Sequence, residues 1–252
     1  MIVDHAFATH VGWIRIENQD SYADLSYNGV FAIADGMGGH RGGREASQLA
    51  VKAFSWQCDH DKEQTSEYIR QAHELIVRAN QERSCGNPME GAQQMGTTGV
   101  VVHLDALRGE YAVSWCGDSR LYQWSAKRGS LDQITVDHSV VQGRLDRGEI
   151  TAEQALREKK NLLEHAIGVG GLNDLRVDTR RRRLEAGDML MLCTDGVSNE
   201  IEPQALVEMF RNASAQGHSA RRMAQDILQA ALDGGGSDNA TLAIVQTHEE
   251  EF

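Results

Sequence analysis

Five aspartates stand where apolar runs begin or end. Asp20 follows Asn18-Gln19 at the head of a short strand-like run, Asp35 closes VFAIA, and Asp118 follows VSWCG. Asp195 follows MLMLCT, and Asp238 stands with Asn239 directly before ATLAIV. In antiparallel neighbours the end of one strand abuts the start of the next, so residues at these positions can meet on one rim. Several ionised carboxylates cannot share a low-dielectric rim without compensating cations. Hard divalent ions such as Mg²⁺ or Mn²⁺ supply that compensation through oxygen ligands. Taken singly, Asp35-Gly36 or Asp195-Gly196 reads equally well as an ordinary turn. The repetition at strand ends is what raises the metal alternative.

The stretch around Asp35, VFAIADGMGGHRGG, is the most pointed. An apolar run from Val30 to Ala34 stops at the carboxylate, and Gly36, Gly38, Gly39, Gly42 and Gly43 follow before a helical pattern begins at 44. Glycine permits tight bending and leaves a carbonyl accessible beside the aspartate. Other chemistries fail on spacing. Arg44 and Glu45 stand where a phosphate-binding loop needs Lys and Ser or Thr, and Arg41 stands where a dinucleotide fingerprint needs its third glycine. No arginine lies six residues after any of the four cysteines, as a cysteine phosphatase requires, and no Gly-x-Ser-x-Gly elbow occurs. Asp59-His60-Asp61 closes an amphipathic helix amid polar residues and reads as a solvated turn; Arg180 to Arg183 reads as a solvated strand face.

The elements that must position these residues follow from periodicity. Strands are expected over 5–9, 20–25, 30–34, 97–104, 110–116, 119–124, 130–135, 175–184, 188–194 and 240–245. Ala46, Leu49, Ala50, Ala53 and Phe54 define one helical face, and Ile69, Ala72, Ile76 and Ala79 a second. Pro203 suits the first turn of a third helix, with Leu206, Val207 and Phe210 inward, and Ser219 the cap of a fourth, carrying Met223, Ala224, Ile227, Leu228 and Ala231. Residues 84–95 read as a loop. Residues 138–165 are polar and weakly periodic, with a Thr151/Gln154 capping box, and read as a flexible excursion. Helices and strands are segregated and do not alternate, which argues for an α+β fold with mostly antiparallel sheets.

Composition sets the outer limits. A chain of 252 residues, 40% hydrophobic and 25% charged, can bury a substantial core. Lys+Arg 25 against Asp+Glu 37 gives a net charge of −12, which disfavours nucleic acid as a partner. Four scattered cysteines suit reduced thiols, and the N-terminus lacks a signal-peptide pattern, so a cytoplasmic protein without membrane attachment is expected. No linker divides the chain, which is read as one domain over 1–252 with a frayed acidic tail at 247–252.

Seven motifs in order complete a recognisable pattern: Arg15-x-x-Asn18-Gln19-Asp20, Asp35-Gly36-Met37-Gly38-Gly39-His40, Gly96-Thr97-Thr98, Gly117-Asp118-Ser119-Arg120, Asp137-His138, Thr194-Asp195-Gly196 and Ser237-Asp238-Asn239. Together they resemble the bacterial branch of the metal-dependent protein serine/threonine phosphatases of type 2C. The resemblance implies a four-layer α-β-β-α sandwich, two antiparallel sheets with a helix pair outside each. It implies two core Mn²⁺ or Mg²⁺ ions, bridged by Asp35 and ligated by the Gly36 carbonyl, Asp195 and Asp238, with Asp20 acting through water. Asp118 matches the position of a third ion, sharing Asp195. A hydroxide bridging the two core ions would attack phosphorus in line, without a phosphoenzyme. Arg15 would grip the phosphoryl group, and Asn239 would orient Asp238 or a nearby water. Animal members carry a histidine directly after Asp-Gly. Met37 stands there in this chain, so the proton for the leaving alkoxide would come from His40, the nearest histidine, from a metal-bound water or from the substrate environment. Residues 138–165 match a mobile flap bordering the site. The implied protein is a monomeric phosphatase acting on phosphoserine and phosphothreonine in targets of a serine/threonine kinase. The alternatives are a small-molecule phosphatase or phosphodiesterase and a non-catalytic regulator with the same fold.

Overall fold

The computed structural model describes all residues except 1, 39–41, 61, 62, 87–93, 156, 157, 159–161 and 249–252, and leaves out the side chains of 59, 85 and 86. In chain order the elements are β1 (Ile2–His10), β2 (Asp20–Leu25), β3 (Val30–Met37), α1 (Gly42–His60), α2 (Thr65–Gly86), β4 (Gly96–Thr97) and β5 (Gly99–Asp105). They continue with β6 (Glu110–Cys116), β7 (Arg120–Ser125), β8 (Ser130–Gln133), α3 (Val140–Asp146), α4 (Ala152–Ala155) and β9 (Asp178–Arg183). The last are β10 (Met189–Cys193), α5 (Asp195–Ser198), α6 (Pro203–Gln216), α7 (Ala220–Gly234) and β11 (Ala240–His248).

Two antiparallel sheets form, in the orders β1-β11-β10-β7-β8 and β2-β3-β5-β6-β9, with β4 paired to β3. Side chains alternate between two buried faces, which is why the central strands read as unbroken apolar runs. On β3, Phe31 and Ile33 enter the core between the sheets, while Ala32 and Ala34 meet α1 and α2. On β10, Leu190 and Leu192 face the other sheet, and Met189, Met191 and Cys193 face α6 and α7. Small residues on α1 (Ala46, Ala50, Ala53) bring that helix close to its sheet. The result is the expected α-β-β-α sandwich.

The caps read from sequence are present. Pro203 opens α6, and Ser219 accepts a hydrogen bond from Arg222 N–H at the start of α7. Thr151 and Gln154 exchange the two bonds of a capping box at α4.

Three local expectations need correction. Asp35, Gly36 and Met37 do not leave the strand: β3 runs to Met37, with Gly36 opposite Thr97 and Met37 opposite Gly96. Glycine is required at 36 by close approach, since a Cβ there would stand 2.0 Å from the Gly43 carbonyl oxygen and 2.6 Å from that of Gln19. The 138–165 excursion carries a formed helix, α3, capped by Ser139, and its root is closed by Val140 N–H to Leu162 O and Glu164 N–H to His138 O. At the C-terminus β11 extends to His248, opposite Ile2, and Thr247 is buried, so the acidic tail begins later than 247.

Arg180 also departs from a solvated role. It lies opposite Val113, with its guanidinium 5.6 Å from the Trp115 ring centre, and it donates to Ile134 O. Arg181, Arg182 and Arg183 are exposed as expected. His60 ends α1 with Nδ1 on Trp56 O at 2.7 Å and its ring stacked on Trp56.

Candidate metal centre

The antiparallel registers bring the strand-end aspartates together. Asp20 opens β2 and lies directly opposite Asp35 on β3. Like charges placed opposite across a ladder repel. Asp195 begins α5, directly after its N-cap Thr194, which follows β10, and Asp238 precedes β11, the strand beside β10. Asp118 sits in the turn between β6 and β7 and is buried. Both sheets therefore deliver carboxylates to one rim.

Electrostatics identify Asp35 as the hub. Its carboxyl is raised well above the usual range, first by burial and then by repulsion from Asp20, Asp195, Asp118 and Asp238. Burial also raises Asp20, with Asp195 and Asp238 adding to it. Asp118 is pushed up to about 7 by burial, then by Asp195 and Asp137. Asp195 is raised by burial and Asp238, moderated by a hydrogen bond with Asp35.

Few donors offset this. The Thr194 hydroxyl donates to Asp20 Oδ2 at 2.9 Å and Thr241 also eases the carboxylate's burial, whereas Asp20 Oδ1 is buried with no partner at hydrogen-bonding geometry. A net hydrogen bond is worth about 1 kcal/mol, against several for burying an unpaired ion. The set of hard oxygen donors and the orphaned Oδ1 fit a divalent cation. Among the described residues, no three such side chains close on a single point as a finished ligand shell.

Arg15 reaches the same rim. Its Nη2 donates to Asp238 Oδ2 at 2.6 Å while the guanidinium stays half exposed. Asn239 serves two places at once. Its backbone N–H donates to Asp238 Oδ1 at 2.8 Å, while its side chain ties down the loop before β2 through Val11 O, Glu17 O and Gln19 N–H. His40 lies outside the described residues.

Several groups that position the rim had no role assigned from sequence. Thr97 Oγ1 and Thr98 N–H both donate to Asp35 O at 2.8 Å, and Asp35 N–H donates to Thr98 Oγ1 at 3.1 Å. Thr98 Oγ1 also meets Ser119 Oγ at 2.7 Å, linking Asp35 to the loop of Asp118. Arg120 grips Asp137 with two nitrogens, Nε and Nη2, in a largely buried pair. His138 Nδ1 accepts from Gly117 N–H, and its Nε2 lies 3.2 Å from Asp178. Their presence in motifs was the only sequence signal, because every partner is remote in the chain.

Two antiparallel sheets flanked by helix pairs thus carry an acidic rim where strand ends from both sheets meet. The family described as Protein phosphatase 2C matches residues 15–239, and the chain belongs to it. It is a serine/threonine protein phosphatase. The serine/threonine phosphatase stp of Listeria monocytogenes serotype 4b is 32% identical over 250 residues, 95% of this chain and 94% of that protein. The Mycobacterium tuberculosis serine/threonine phosphatase PstP superposes with a TM-score of 0.82 at 28% identity, over 99% of this chain and 100% of that one. A structure of the PstP catalytic domain in complex with two manganese ions superposes with a TM-score of 0.76, also at 28% identity, over 98% and 99% of the two chains. Members of the family are metal-dependent.

Proposed function

We propose that this phosphatase removes phosphate from phosphoserine and phosphothreonine on proteins with two Mn²⁺ or Mg²⁺ ions held at the acidic rim. Asp35, the Gly36 carbonyl, Asp195 and Asp238 would hold them, and Asp20 would act through water. Asp118, beside Asp195, would hold a third ion. The observation that carries this reading is the convergence of four carboxylates on Asp35, with Asp20 Oδ1 left unpartnered. When bound, such ions would activate a water nucleophile and stabilise charge on phosphoryl oxygens.

The chain's own residues do the rest. Thr97 and Thr98 fix the Asp35 backbone, and Thr194 fixes the Asp20 carboxylate. Arg15 offers a planar fork suited to two phosphoryl oxygens. Its ion pair with Asp238 keeps it at the rim until a phosphoryl group competes for it. No step is assigned to His40. The whole chain is read as one catalytic domain and a monomer that opposes a serine/threonine kinase, with 138–165 as the flap. Among the described residues no helix is long and apolar enough to cross a membrane.

The purified protein should hydrolyse an aryl phosphate with added Mn²⁺ and stop on chelation. Phosphopeptides should be turned over faster than nucleotides or sugar phosphates. The reverse preference would make it a small-molecule phosphatase, and activity that survives chelation would remove the metal reading.

A further inference from the structure

Arg15 has apolar neighbours that the phosphatase reading leaves unused. In Trp13-Ile14-Arg15-Ile16, Trp13 is 63% exposed, Ile14 70% and Ile16 102%. Single exposed hydrophobics are ordinary. Here three of them flank Arg15 in sequence, and the Arg15 Nη2 rests on Asp238 at 2.6 Å, which ties the segment to the acidic rim.

The loop that displays them is fixed. Trp13 N–H donates to Gly236 O at 2.7 Å, its indole N–H donates to Leu232 O at 2.9 Å, and its ring meets His10 edge-on at 5.1 Å. The Asn239 side chain holds Val11 O and Glu17 O from below, and Arg44 Nε donates to Asn18 O at 3.1 Å. Gly12, at φ +79°, packs so tightly that a Cβ would stand 2.3 Å from Asp238 O. Residues 14–16 therefore span two anchored ends, and the isoleucines are held out in water. Such a surface orders little on binding, which favours recognition, and β-branched side chains add little rotamer entropy to that cost.

Substrate geometry supplies the occupant. Chain neighbours of a phosphorylated residue lie about 3.8 Å away along the backbone. With the phosphoryl group on Arg15, those neighbours come within reach of the residues adjoining Arg15. Acidic flanks approach a chain of net charge −12 and are disfavoured. Apolar flanks are not repelled and remove isoleucine surface from water.

We infer that Ile14 and Ile16, beside the anchored Trp13, form a specificity surface for phosphoprotein segments with an apolar residue next to the phosphoserine or phosphothreonine. This rests on the reading of Arg15 as the phosphoryl grip.

The test uses paired phosphopeptides of equal length and charge, with leucine or serine flanking the phosphoresidue, and the full chain with Mn²⁺. The unmodified enzyme should prefer the leucine peptide by roughly tenfold in kcat/KM, the scale of partial burial of one aliphatic side chain. Ile14→Ser/Ile16→Ser should bring that ratio to about one with its thermal midpoint unchanged. Leu107→Ser, at an exposed turn between β5 and β6, should keep the preference. Arg15→Ala should lower kcat/KM for both peptides and keep the ratio. No preference in the unmodified enzyme, or a preference retained in the double variant, overturns the inference. So does a double variant that turns a dimer into a monomer in sedimentation without altering the ratio, since the patch then joins two copies. Full turnover in Arg15→Ala overturns the phosphoryl-grip reading instead, and the specificity surface with it. If the unmodified enzyme cleaves neither peptide with Mn²⁺, the proposed function itself falls.

Discussion

Strand β10 is bracketed by two aspartates, Asp188 before Met189 and Asp195 shortly after Cys193, and the two ends behave differently. Asp188 is buried but fully served. Ala126 N–H donates to its Oδ1 at 3.0 Å, and Glu185 N–H and Gln123 Nε2 donate to its Oδ2 at 3.1 and 3.3 Å. Asp195 instead faces Asp35 and Asp238, with Asn199 Nδ2 donating to it at 3.2 Å. Both carboxylates sit at the edge of the same apolar run. Donor supply separates them: one end is a structural knot, complete without an ion, and the other has more negative charge than its donors can offset.

The largest effect expected from this contrast is on turnover. Asp195→Asn or Asp35→Asn should lower Mn²⁺-dependent phosphatase activity by more than about 100-fold, while the thermal midpoint in chelator holds or rises because repulsion is relieved. An active variant would show that the rim is not the metal centre. Asp188→Ala should do the reverse. It strands three donors and should cost about 2–4 kcal/mol in urea unfolding, leaving turnover per folded molecule intact. A loss of turnover at constant stability would break the distinction between the two ends.

The smallest effect is a slope. Burial and then Asp195 raise Asp118 to about 7, above the 3.8 of an unperturbed aspartate. Between those values the folded chain holds a proton that the unfolded chain has lost. The stability this group contributes is therefore complete below pH 3.8 and falls as pH climbs towards 7, by at most about 1.4 kcal/mol per pH unit. Unfolding curves in chelator should fall more steeply with pH for the unmodified protein than for Asp118→Asn, and added Mn²⁺ should oppose the fall. Parallel curves would remove the repulsion assigned to Asp118.

The layers were legible because each buried strand and helix carries its own period. Phe31 and Ile33 against Ala32 and Ala34 encode two covered faces in four consecutive residues. The acidic rim was legible because its members share a local signature, an aspartate at the edge of an apolar run. That signature was incomplete, since Asp188 carries it too. What distinguishes Asp188 comes from Gln123 and Ala126, more than sixty residues away. The same distance hid the work of Thr97, Thr98 and Thr194. Gly36 misled for a different reason. Asp-Gly ordinarily marks a turn, and nothing local reveals that the backbone of Gly43 comes to rest against it.

The closed root of the 138–165 excursion has a consequence for how this enzyme can be varied. With residues 138 and 164, and 140 and 162, bonded across the base, the ends stay together whatever lies between. Closing a flexible loop of twice the length adds only about 0.6 kcal/mol of entropy. The segment is a cassette. Chain added between those two bonded pairs should carry little thermodynamic penalty and leave the sandwich unchanged, whereas exchanges must preserve the buried Val141 and Ile150.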